Sequence, residues 1–186
     1  MPRDTIDRRV RRTRARLLLA AQAVLNEGSW ADLSVQDIAD RADIARSSFY
    51  AHFTGKGALL GLVLSEALAD AEAEIASFPA RTGRLRTVGW LAAHLASHRA
   101  LYGVILGEPG EADLRRTFAA RLEAALSADL GRTIGVPDAS VSRFVAAGLI
   151  AVSADWLSRP RRDRVSLDDR LSSLVQPLLA QVRVPA

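Results

Sequence analysis

The chain has 186 residues, of which 49% are hydrophobic, and it contains no cysteine. This length and composition allow one compact helical body, or a small domain joined to a larger one, and they exclude a wholly disordered chain. The absence of cysteine excludes disulfide bonds, cysteine zinc sites and thiol nucleophiles. Because no charge-free apolar run reaches transmembrane length and no signal sequence is evident, we expect a cytoplasmic protein.

Basic residues are concentrated at the N-terminus. Residues 1–16 contain seven arginines and two aspartates, a net charge of +5, whereas the whole chain carries +4. Such a segment favours a polyanionic partner, either nucleic acid or a membrane surface, although a solvated tail that keeps the protein soluble explains the same charge. We expect residues 1–12 to form a flexible basic arm.

Beyond this arm the chain is rich in alanine and leucine, and no alternating β-branched run is bounded by turn residues. We therefore predict an all-α fold of about nine helices. In the first helix Leu17, Ala21 and Val24 share one face, and Gly28 is expected to end it. The predicted helices span approximately residues 13–27, 34–41, 45–52, 56–77, 84–97, 100–106, 111–130, 138–157 and 167–183.

Two short helices joined by a tight turn follow the first helix, which is the arrangement of a helix-turn-helix. Ser34 and Asp37 have the spacing of an N-terminal capping box, with aspartate where glutamate or glutamine is usual. Asp43 is expected in the left-handed conformation at the turn. The second helix of such a motif lies in the major groove of DNA, and the first lies against the phosphate backbone. The motif therefore predicts binding to double-stranded DNA.

The second short helix carries side chains suited to DNA. Arg46 can bind guanine through two N–H donors, and Ser47 and Ser48 add short donors and acceptors. The side chains with the reach and chemistry for phosphate oxygens are Tyr50, His52 and Lys56. The alternatives are that Arg46 is a solvated surface residue and that Tyr50 is a half-exposed packing residue.

Residues 13–60 resemble the DNA-binding domain of the TetR family of transcriptional regulators. The matching segments are ARLL at 15–18, LSVQDIA at 33–39, ADIA at 42–45 and RSSFYAHF at 46–53, followed by Lys56 and Leu59. The sequence departs from the family pattern at three positions: Asp43 replaces a glycine, Ala45 replaces a serine or threonine, and Gly57 replaces an acidic residue. Ala45 removes a side-chain cap worth about 0.5–2 kcal/mol, but no departure removes a DNA contact.

The resemblance implies a transcriptional repressor that binds a palindromic operator as a homodimer and is released by a small-molecule effector. It implies a helix-turn-helix domain at residues 13–60, with the motif at 34–53, and a ligand-binding and dimerisation domain at residues 61–186. It also adds to the expected DNA contacts Val35, Gln36 and Ala45. We expect no enzymatic activity, no cofactor and no membrane partner.

Two apolar stripes in the second half of the chain are candidates for the dimer interface. Their members are Val141, Val145, Gly148 and Val152 on one predicted helix and Leu171, Leu174 and Leu178 on the next. Two such helices from each subunit could form a four-helix bundle between subunits. The alternative is that both stripes belong to the core of one chain.

A stripe of aromatic and imidazole side chains is the candidate small-molecule site. Its members are Trp90, His94, His98 and Tyr102, with Phe118 and Trp156 added from other helices. Such a stripe is also typical of a helical core. His94 and His98 have the spacing of a helical metal pair, but no glutamate follows His94 as a zinc peptidase helix requires. We therefore expect no metal site.

Two other classes of function explain parts of the sequence. A metal-assisted hydrolase built on His94 and His98 predicts bound metal after purification. A membrane-surface protein would use the arginine arm, but it leaves the helix-turn-helix without a role. Because neither class uses residues 49–56, a DNA-binding regulator is favoured.

Overall fold

The computed structural model describes residues 2–107, 111–135, 139–159 and 166–182. Within these ranges the chain forms ten α-helices and no strand, which confirms the predicted all-α class. The chain divides into two compact units, Met1–Ala69 and Asp70–Ala186. The boundary therefore lies beyond the position predicted near residue 60.

The first unit is built from four helices. They are α1 (Pro2–Glu27), α2 (Val35–Arg41), α3 (Arg46–Tyr50) and α4 (Lys56–Ala67). Helix α1 packs against α2 and α4, and α2 packs against α3. The side chains that close the core include Leu17, Val24, Trp30, Ile38, Phe49, Leu59 and Leu60. Leu60, Val63 and Leu64 are buried, so this unit extends past residue 60.

The start of α1 corrects the sequence interpretation. Residues 2–12, predicted to form an arm separate from the first helix, are its first three turns, because α1 begins at Pro2 and continues to Glu27. Arginine is a strong helix former, and proline is tolerated in the first helical turn. No glycine interrupts the segment before Gly28.

A glycine ends α1 as predicted. Gly28 has φ 76°, and its N–H donates to the carbonyl oxygen of Leu25 at 3.0 Å. The N–H of Ser29 reaches the carbonyl oxygen of Val24 at 3.3 Å. This pair of bonds is a Schellman motif, which requires a left-handed residue after the helix. The motif turns the chain into the loop that leads to α2.

The second unit contains six described helices. They are α5 (Ala71–Ser77), α6 (Arg86–Ser97), α7 (Arg99–Leu106), α8 (Ala112–Ile134), α9 (Ala139–Ser158) and α10 (Leu167–Val182). The predicted helix at 56–77 is two helices in the structure, α4 and α5. No glycine or proline stands at residues 68–70, and the one residue there of a type that favours a helix start is Asp70, at the N-cap position of α5. The predicted end residues 138 and 183 lie outside the described residues.

Helix α6 begins without a side-chain cap of its own, since Leu85 occupies the cap position. The carboxylate of Asp129 on α8 replaces it. Asp129 Oδ2 accepts hydrogen bonds from the backbone N–H of Thr87 at 2.8 Å and from its Oγ1 at 2.9 Å. Both residues are buried. The negative charge therefore satisfies orphan donors at the positive end of the α6 dipole and fixes α6 against α8.

Helix α9 is strongly apolar, although only a small share of it is buried within its own chain. Among the described helices it alone is long and apolar enough to cross a membrane by length and composition, with a mean hydropathy of 1.3 and 28% of the window buried. Core helices of soluble proteins meet the same test. Much of the apolar surface of α9 is thus not covered by its own chain.

Candidate nucleic-acid interface and small-molecule site

Helix α2 begins at the predicted capping box. The N–H of Asp37 donates to Ser34 Oγ at 3.3 Å, and the N–H of Ser34 donates to Asp37 Oδ2 at 2.7 Å. The hydrogen bonds from the side chain and backbone of Ser34 lower the pKa of the Asp37 carboxyl group. The reciprocal bonds fix where the first helix of the helix-turn-helix starts.

The turn between α2 and α3 is centred on Asp43, whose φ of 50° confirms the predicted left-handed conformation. The N–H of Asp43 donates to the carbonyl of Asp40, and the N–H of Ile44 donates to the carbonyl of Ala39, both at 3.0 Å. The turn is therefore a second Schellman motif, with aspartate in the position that glycine usually fills. The Asp43 carboxylate also forms an ion pair with Arg16 of α1.

Helix α3 has one buried and one exposed face. Phe49 is fully buried and lies 5.8 Å from Phe53, measured between ring centroids. As predicted, Ala45 at the cap position makes no side-chain hydrogen bond. The exposed residues of this segment are Ala45, Arg46, Ser47 and Tyr50, and Ser48 is half-buried. The aromatic anchors thus hold a polar face outward at the start of the helix.

Two guanidinium groups lie over aromatic rings of this surface. The Cζ of Arg46 is 5.7 Å from the ring centroid of Tyr50, and the Cζ of Arg14 is 5.2 Å from that of Phe53. Cation–π contact restricts a long side chain while its N–H donors remain at the edges of the group. Arg46 is therefore held on the exposed face, together with a half-exposed tyrosine hydroxyl.

Lys56 points into the domain. Its Nζ lies 2.6 Å from the carbonyl oxygen of Leu33, 2.7 Å from that of Trp30 and 3.4 Å from that of Ala31. An ammonium group has three N–H donors, and in this conformation they are directed at the loop between α1 and α2. The sequence suggested a phosphate contact for Lys56, whereas this geometry gives the side chain a role inside the unit.

The remaining candidate DNA contacts lie beside α3. Gln36 is exposed, and its Nε2 donates to Asp40 Oδ1 at 2.7 Å. Val35 and His52 are half-buried. Together with the exposed face of α3 these three residues lie on the helix-turn-helix, and Val35 and His52 are half-buried in the same way as Ser48.

Five of the six predicted small-molecule residues form one aromatic row in the second unit. Ring centroids are 4.5 Å apart for Trp90 and His94, 4.4 Å for His94 and His98, 5.5 Å for His94 and Tyr102, and 4.8 Å for Tyr102 and Phe118. His94 Nε2 and the Tyr102 hydroxyl share a hydrogen bond of 2.9 Å. All members except His98 are buried, so most of the row belongs to the core.

Burial determines the protonation states of His94 and Tyr102. Desolvation lowers the pKa of His94 to about 4, with a smaller contribution from repulsion by His98 and an opposing one from Glu74. Burial also raises the pKa of Tyr102 above its usual value. At neutral pH the His94 imidazole and the Tyr102 hydroxyl are therefore uncharged.

Trp156, the sixth predicted residue, has a different partner. The Cζ of Arg99 lies 4.1 Å from the ring centroid of Trp156. Arg99 also donates to the carbonyl oxygens of Trp156, Leu157 and Arg159, at 3.1, 3.1 and 2.6 Å. Arg99 thereby caps the C-terminal end of α9 and fixes the indole ring.

Two neighbouring clefts open beside these aromatic groups. The histidine cleft has a volume of about 400 Å³ and is lined by Glu74, Ser77, Phe78, Pro79, Trp90, Ala93, His94, Ser97 and His98. The arginine cleft has a volume of about 310 Å³ and is lined by Phe78, Pro79, Arg81, Arg84, Leu85, Gly89, Ala92, Ala93, Ala96, Trp156, Ser166, Leu167 and Asp168. Ala93 borders both clefts. Sequence reasoning missed Glu74, whose Oε2 accepts a 2.7 Å hydrogen bond from Trp90 Nε1.

Phe78 and Pro79 stand between the two clefts. The ring of Phe78 packs so closely on Gly89 that a Cβ there would lie 2.6 Å from Phe78 Cε1. At the rim of the arginine cleft, Arg81 and Arg84 lie 3.4 and 3.1 Å from the Asp168 carboxylate. The arginine cleft therefore combines an apolar floor with a paired polar rim.

The two stripes predicted for the dimer interface divide between core and surface. Val145 and Leu171 are 3% and 0% exposed, so they belong to the core of the chain and are not available to a partner. Val141, Val152 and Leu178 are half-buried, whereas Gly148 and Leu174 are exposed. The prediction missed Phe144, which is 68% exposed. Its position one turn before Gly148 places it on the same face of α9.

Comparison with known proteins agrees with this architecture. The family model described as bacterial regulatory proteins of the tetR family matches residues 17–63. No curated protein is significantly similar to the chain in sequence.

Solved structures share the fold at low sequence identity. The Thermus thermophilus FadR, a TetR family transcriptional repressor in complex with lauroyl-CoA, has a TM-score of 0.69 and 20% identity, over 93% of this chain and 96% of that one. A tetR-family transcriptional regulator from Streptomyces coelicolor has a TM-score of 0.68 and 20% identity, over 92% and 81%. The dihydroxyacetone kinase operon activator DhaS has a TM-score of 0.58 and 22% identity, over 91% and 96%.

Proposed function

The chain is a TetR-family regulator by its N-terminal domain at residues 17–63 and by its fold, and we propose that it represses transcription as a homodimer bound to a palindromic operator. The observation that carries this proposal is the polar face of α3, held outward by buried Phe49. Arg46, Ser47 and Tyr50 are its exposed members. An α-helix with this face fits the major groove, where arginine reads guanine and a tyrosine hydroxyl reaches phosphate.

The test is selection of bound sequences from a random DNA pool, followed by titration of the selected duplex. We expect a palindrome whose half-sites are about one or two helical turns apart, since a two-fold dimer presents two copies of α3. Arg46→Ala should relax one base position in each half-site, whereas Tyr50→Phe should weaken all sequences alike. Arg116→Ala, in the second unit, is the matched control. Selection of no sequence by the wild-type chain would contradict the proposal.

A homodimer is supported by the exposed apolar face of α9 and α10. Phe144 and Leu174 are 68% and 50% exposed, and small residues at Ala147, Gly148 and Ala151 allow close approach of a second helix. Asp155 near the end of α9 lies 3.6 Å from Arg170 near the start of α10, so the two helices form one continuous surface. Burial of such surface is the main driving force of association.

The dimer is tested by sedimentation equilibrium of the Phe144→Glu variant. A charge buried at the interface should shift the chain to monomers, and binding to the palindrome should weaken with it. Leu19→Glu places the same charge at a residue that is 65% exposed in the first unit and serves as the control. Retention of the dimer by Phe144→Glu would move the interface elsewhere.

We further propose that a small molecule binds in the histidine cleft or the arginine cleft and releases the operator. An effector acts only through different affinities for the DNA-binding and released conformations, and DNA must weaken its binding by the same factor. Of the solved relatives, the Thermus protein holds lauroyl-CoA. The clefts offer an apolar floor with a few polar groups, as small-molecule sites do.

Large side chains introduced at the cleft walls can show which of the two clefts binds a ligand. Ala93→Trp should block both clefts, because Ala93 lines both, whereas Ala96→Trp should block the arginine cleft alone, because Ala96 lines only that cleft. Screening a compound panel by thermal shift, with and without operator DNA, would identify a ligand. A ligand whose binding survives Ala93→Trp would place the site outside both clefts.

The same proposal assigns the chain to the cytoplasm, with no catalytic role and no cofactor. A metal-assisted hydrolase would need the nitrogens of His94 and His98 for a metal. In the structure His94 Nε2 is hydrogen-bonded to the Tyr102 hydroxyl, and His98 Nδ1 lies 3.1 Å from the carbonyl oxygen of His94. These contacts favour a packing role for the pair.

A further inference from the structure

The serine and tryptophan side chains of the histidine cleft donate their protons within the chain. Ser77 Oγ donates to the carbonyl oxygen of Glu74 at 3.1 Å, and Ser97 Oγ donates to that of His94 at 3.0 Å. The indole N–H of Trp90 is bonded to the Glu74 carboxylate. A hydroxyl group has one proton and two lone pairs, so both serines keep acceptor capacity. These groups therefore favour a ligand that brings its own donors.

The imidazole of His98 adds another acceptor to the cleft. Its Nδ1 lies 3.1 Å from the carbonyl oxygen of His94, which can only accept a hydrogen bond, so Nδ1 carries the proton. In the neutral ring Nε2 is then an acceptor. His98 is half-buried, and its side chain is part of the cleft wall.

Glu74 gives the cleft a negative charge. No lysine or arginine is among the described residues that line it. His94 is uncharged at neutral pH, because burial lowers its pKa to about 4. The 2.7 Å hydrogen bond from Trp90 Nε1 holds the carboxylate of Glu74 at the cleft wall and uses one of its roughly four acceptor sites. The cleft thus combines a negative charge with unused acceptors.

The arginine cleft differs in charge, although Phe78 and Ala93 line both clefts. At its rim Arg81 and Arg84 both contact the carboxylate of Asp168. A cation that approached this carboxylate would meet two guanidinium groups. A positively charged ligand therefore favours the histidine cleft, where the carboxylate of Glu74 has an uncharged indole as its neighbour.

We propose that the histidine cleft binds an organic cation, an amine whose ammonium group donates to Glu74 and His98 and whose aromatic body packs on Phe78. This inference rests on the proposed function, since it names the class of effector for a site proposed there. The cleft volume of about 400 Å³ lies within the range of small-molecule sites. Because Glu74 is exposed, solvent screens the ion pair, and we expect the charge to add about fivefold in affinity.

The experiment is isothermal titration calorimetry of the full chain, without DNA, with naphthylethylamine, naphthylethanol and naphthylacetate. These compounds share one ring system and differ in charge. The amine should bind about fivefold more tightly than the alcohol, and the acetate should bind most weakly. Glu74→Gln keeps an acceptor for Trp90 and should abolish the preference. Glu72→Gln removes the same charge from an exposed residue of α5 that is not among the described residues lining either cleft, and it should retain the preference.

Two further variants check the location of the bound amine. Its binding should be lost in Ala93→Trp and kept in Ala96→Trp, and circular dichroism at 222 nm checks that each variant is folded. No binding of the amine, equal affinities for amine and alcohol, or a preference that Glu74→Gln retains would overturn the inference.

The inference and the proposed function can fail separately. Selection from the DNA pool needs no ligand, and the calorimetry needs no DNA. If the amine binds in the cleft through Glu74 and the operator affinity is unchanged, the inference is supported and release by this effector is contradicted. By linkage, an effector must change operator affinity by the same factor by which DNA changes its own binding.

Discussion

The ammonium of Lys56 lies 2.6 Å from the carbonyl oxygen of Leu33, and it is the only lysine in a chain that otherwise uses arginine. Two further carbonyls, of Trp30 and Ala31, converge on the same group. A compact ammonium with three N–H donors fits three converging acceptors, whereas a planar guanidinium does not. Lys56 thus ties α4 to the loop that positions α2.

Lys56→Met should lower the free energy of unfolding by about 1–3 kcal/mol, because charge-assisted hydrogen bonds to partly buried carbonyls are lost. It should weaken DNA binding without changing the slope of log K against log salt concentration. Lys56→Arg should not restore stability. Denaturant unfolding and salt titration check both statements. If instead stability is kept and the slope falls by about 0.9, Lys56 contacts phosphate directly.

The left-handed conformation of Asp43 predicts an order of stability among variants at this position. With φ at 50°, Asp43→Ala should destabilise the chain by about 1–2 kcal/mol relative to Asp43→Gly, because glycine alone avoids the steric penalty. Asp43→Asn should stay close to wild type. The lost ion pair to Arg16 adds little, since the Asp43 side chain is 93% exposed. Thermal unfolding gives the order, and equal stability of the alanine and glycine variants would exclude a strained turn.

Because Asp129 of the second unit is buried, we expect its substitution to lower the free energy of unfolding strongly. Asp129→Ala removes both hydrogen bonds to Thr87 and leaves a buried N–H at the start of α6, so we expect a loss of about 2–3 kcal/mol. Asp129→Asn keeps an acceptor and should lose less. Asp113→Asn changes a carboxylate that is 88% exposed and should change stability by less than about 0.5 kcal/mol. Similar losses at positions 113 and 129 would contradict the capping role.

The helix-turn-helix could be predicted from sequence because its signals are local. The capping box at Ser34 and the turn at Asp43 each depend on residues within a few positions, and both are present in the structure. The spacing of apolar residues also identified α6 to α10 of the second unit, but it did not separate α5 from α4.

Features decided by tertiary contacts could not be predicted. The carbonyls that receive Lys56 are more than twenty residues away in sequence, and the cap at the start of α6 comes from Asp129 on α8. Apolar spacing identified the stripe through Val145, but it could not separate the buried face of α9 from the exposed face that carries Phe144. A period of 3.6 residues shows that apolar residues share one helix face, but it does not show whether the same chain or a partner covers that face.

The buried imidazole of His94 predicts a loss of stability in acid. Its pKa is about 4 in the folded chain, mainly because of burial, and 6.5 ordinarily. The unfolded chain therefore binds the proton first, and the free energy of unfolding should fall as the pH falls from 6.5 to about 4. A shift of this size amounts to about 3 kcal/mol over that range. Above pH 6.5 both states are neutral at His94, so the group has no effect on stability there.

The charged or titratable groups near His94 allow a specific test by urea unfolding at several pH values. His94→Gln should abolish most of the loss between pH 6.5 and 4.5, whereas His98→Gln should retain most of it, because burial outweighs the repulsion from His98. Glu74 opposes the shift, and Tyr102 stays neutral in acid. Glu27 and Asp37, whose pKa values are lowered by Arg41 and Ser34, lose their contributions only at lower pH. An undiminished acid loss in His94→Gln would show that another group, and not the aromatic row, controls the pH dependence.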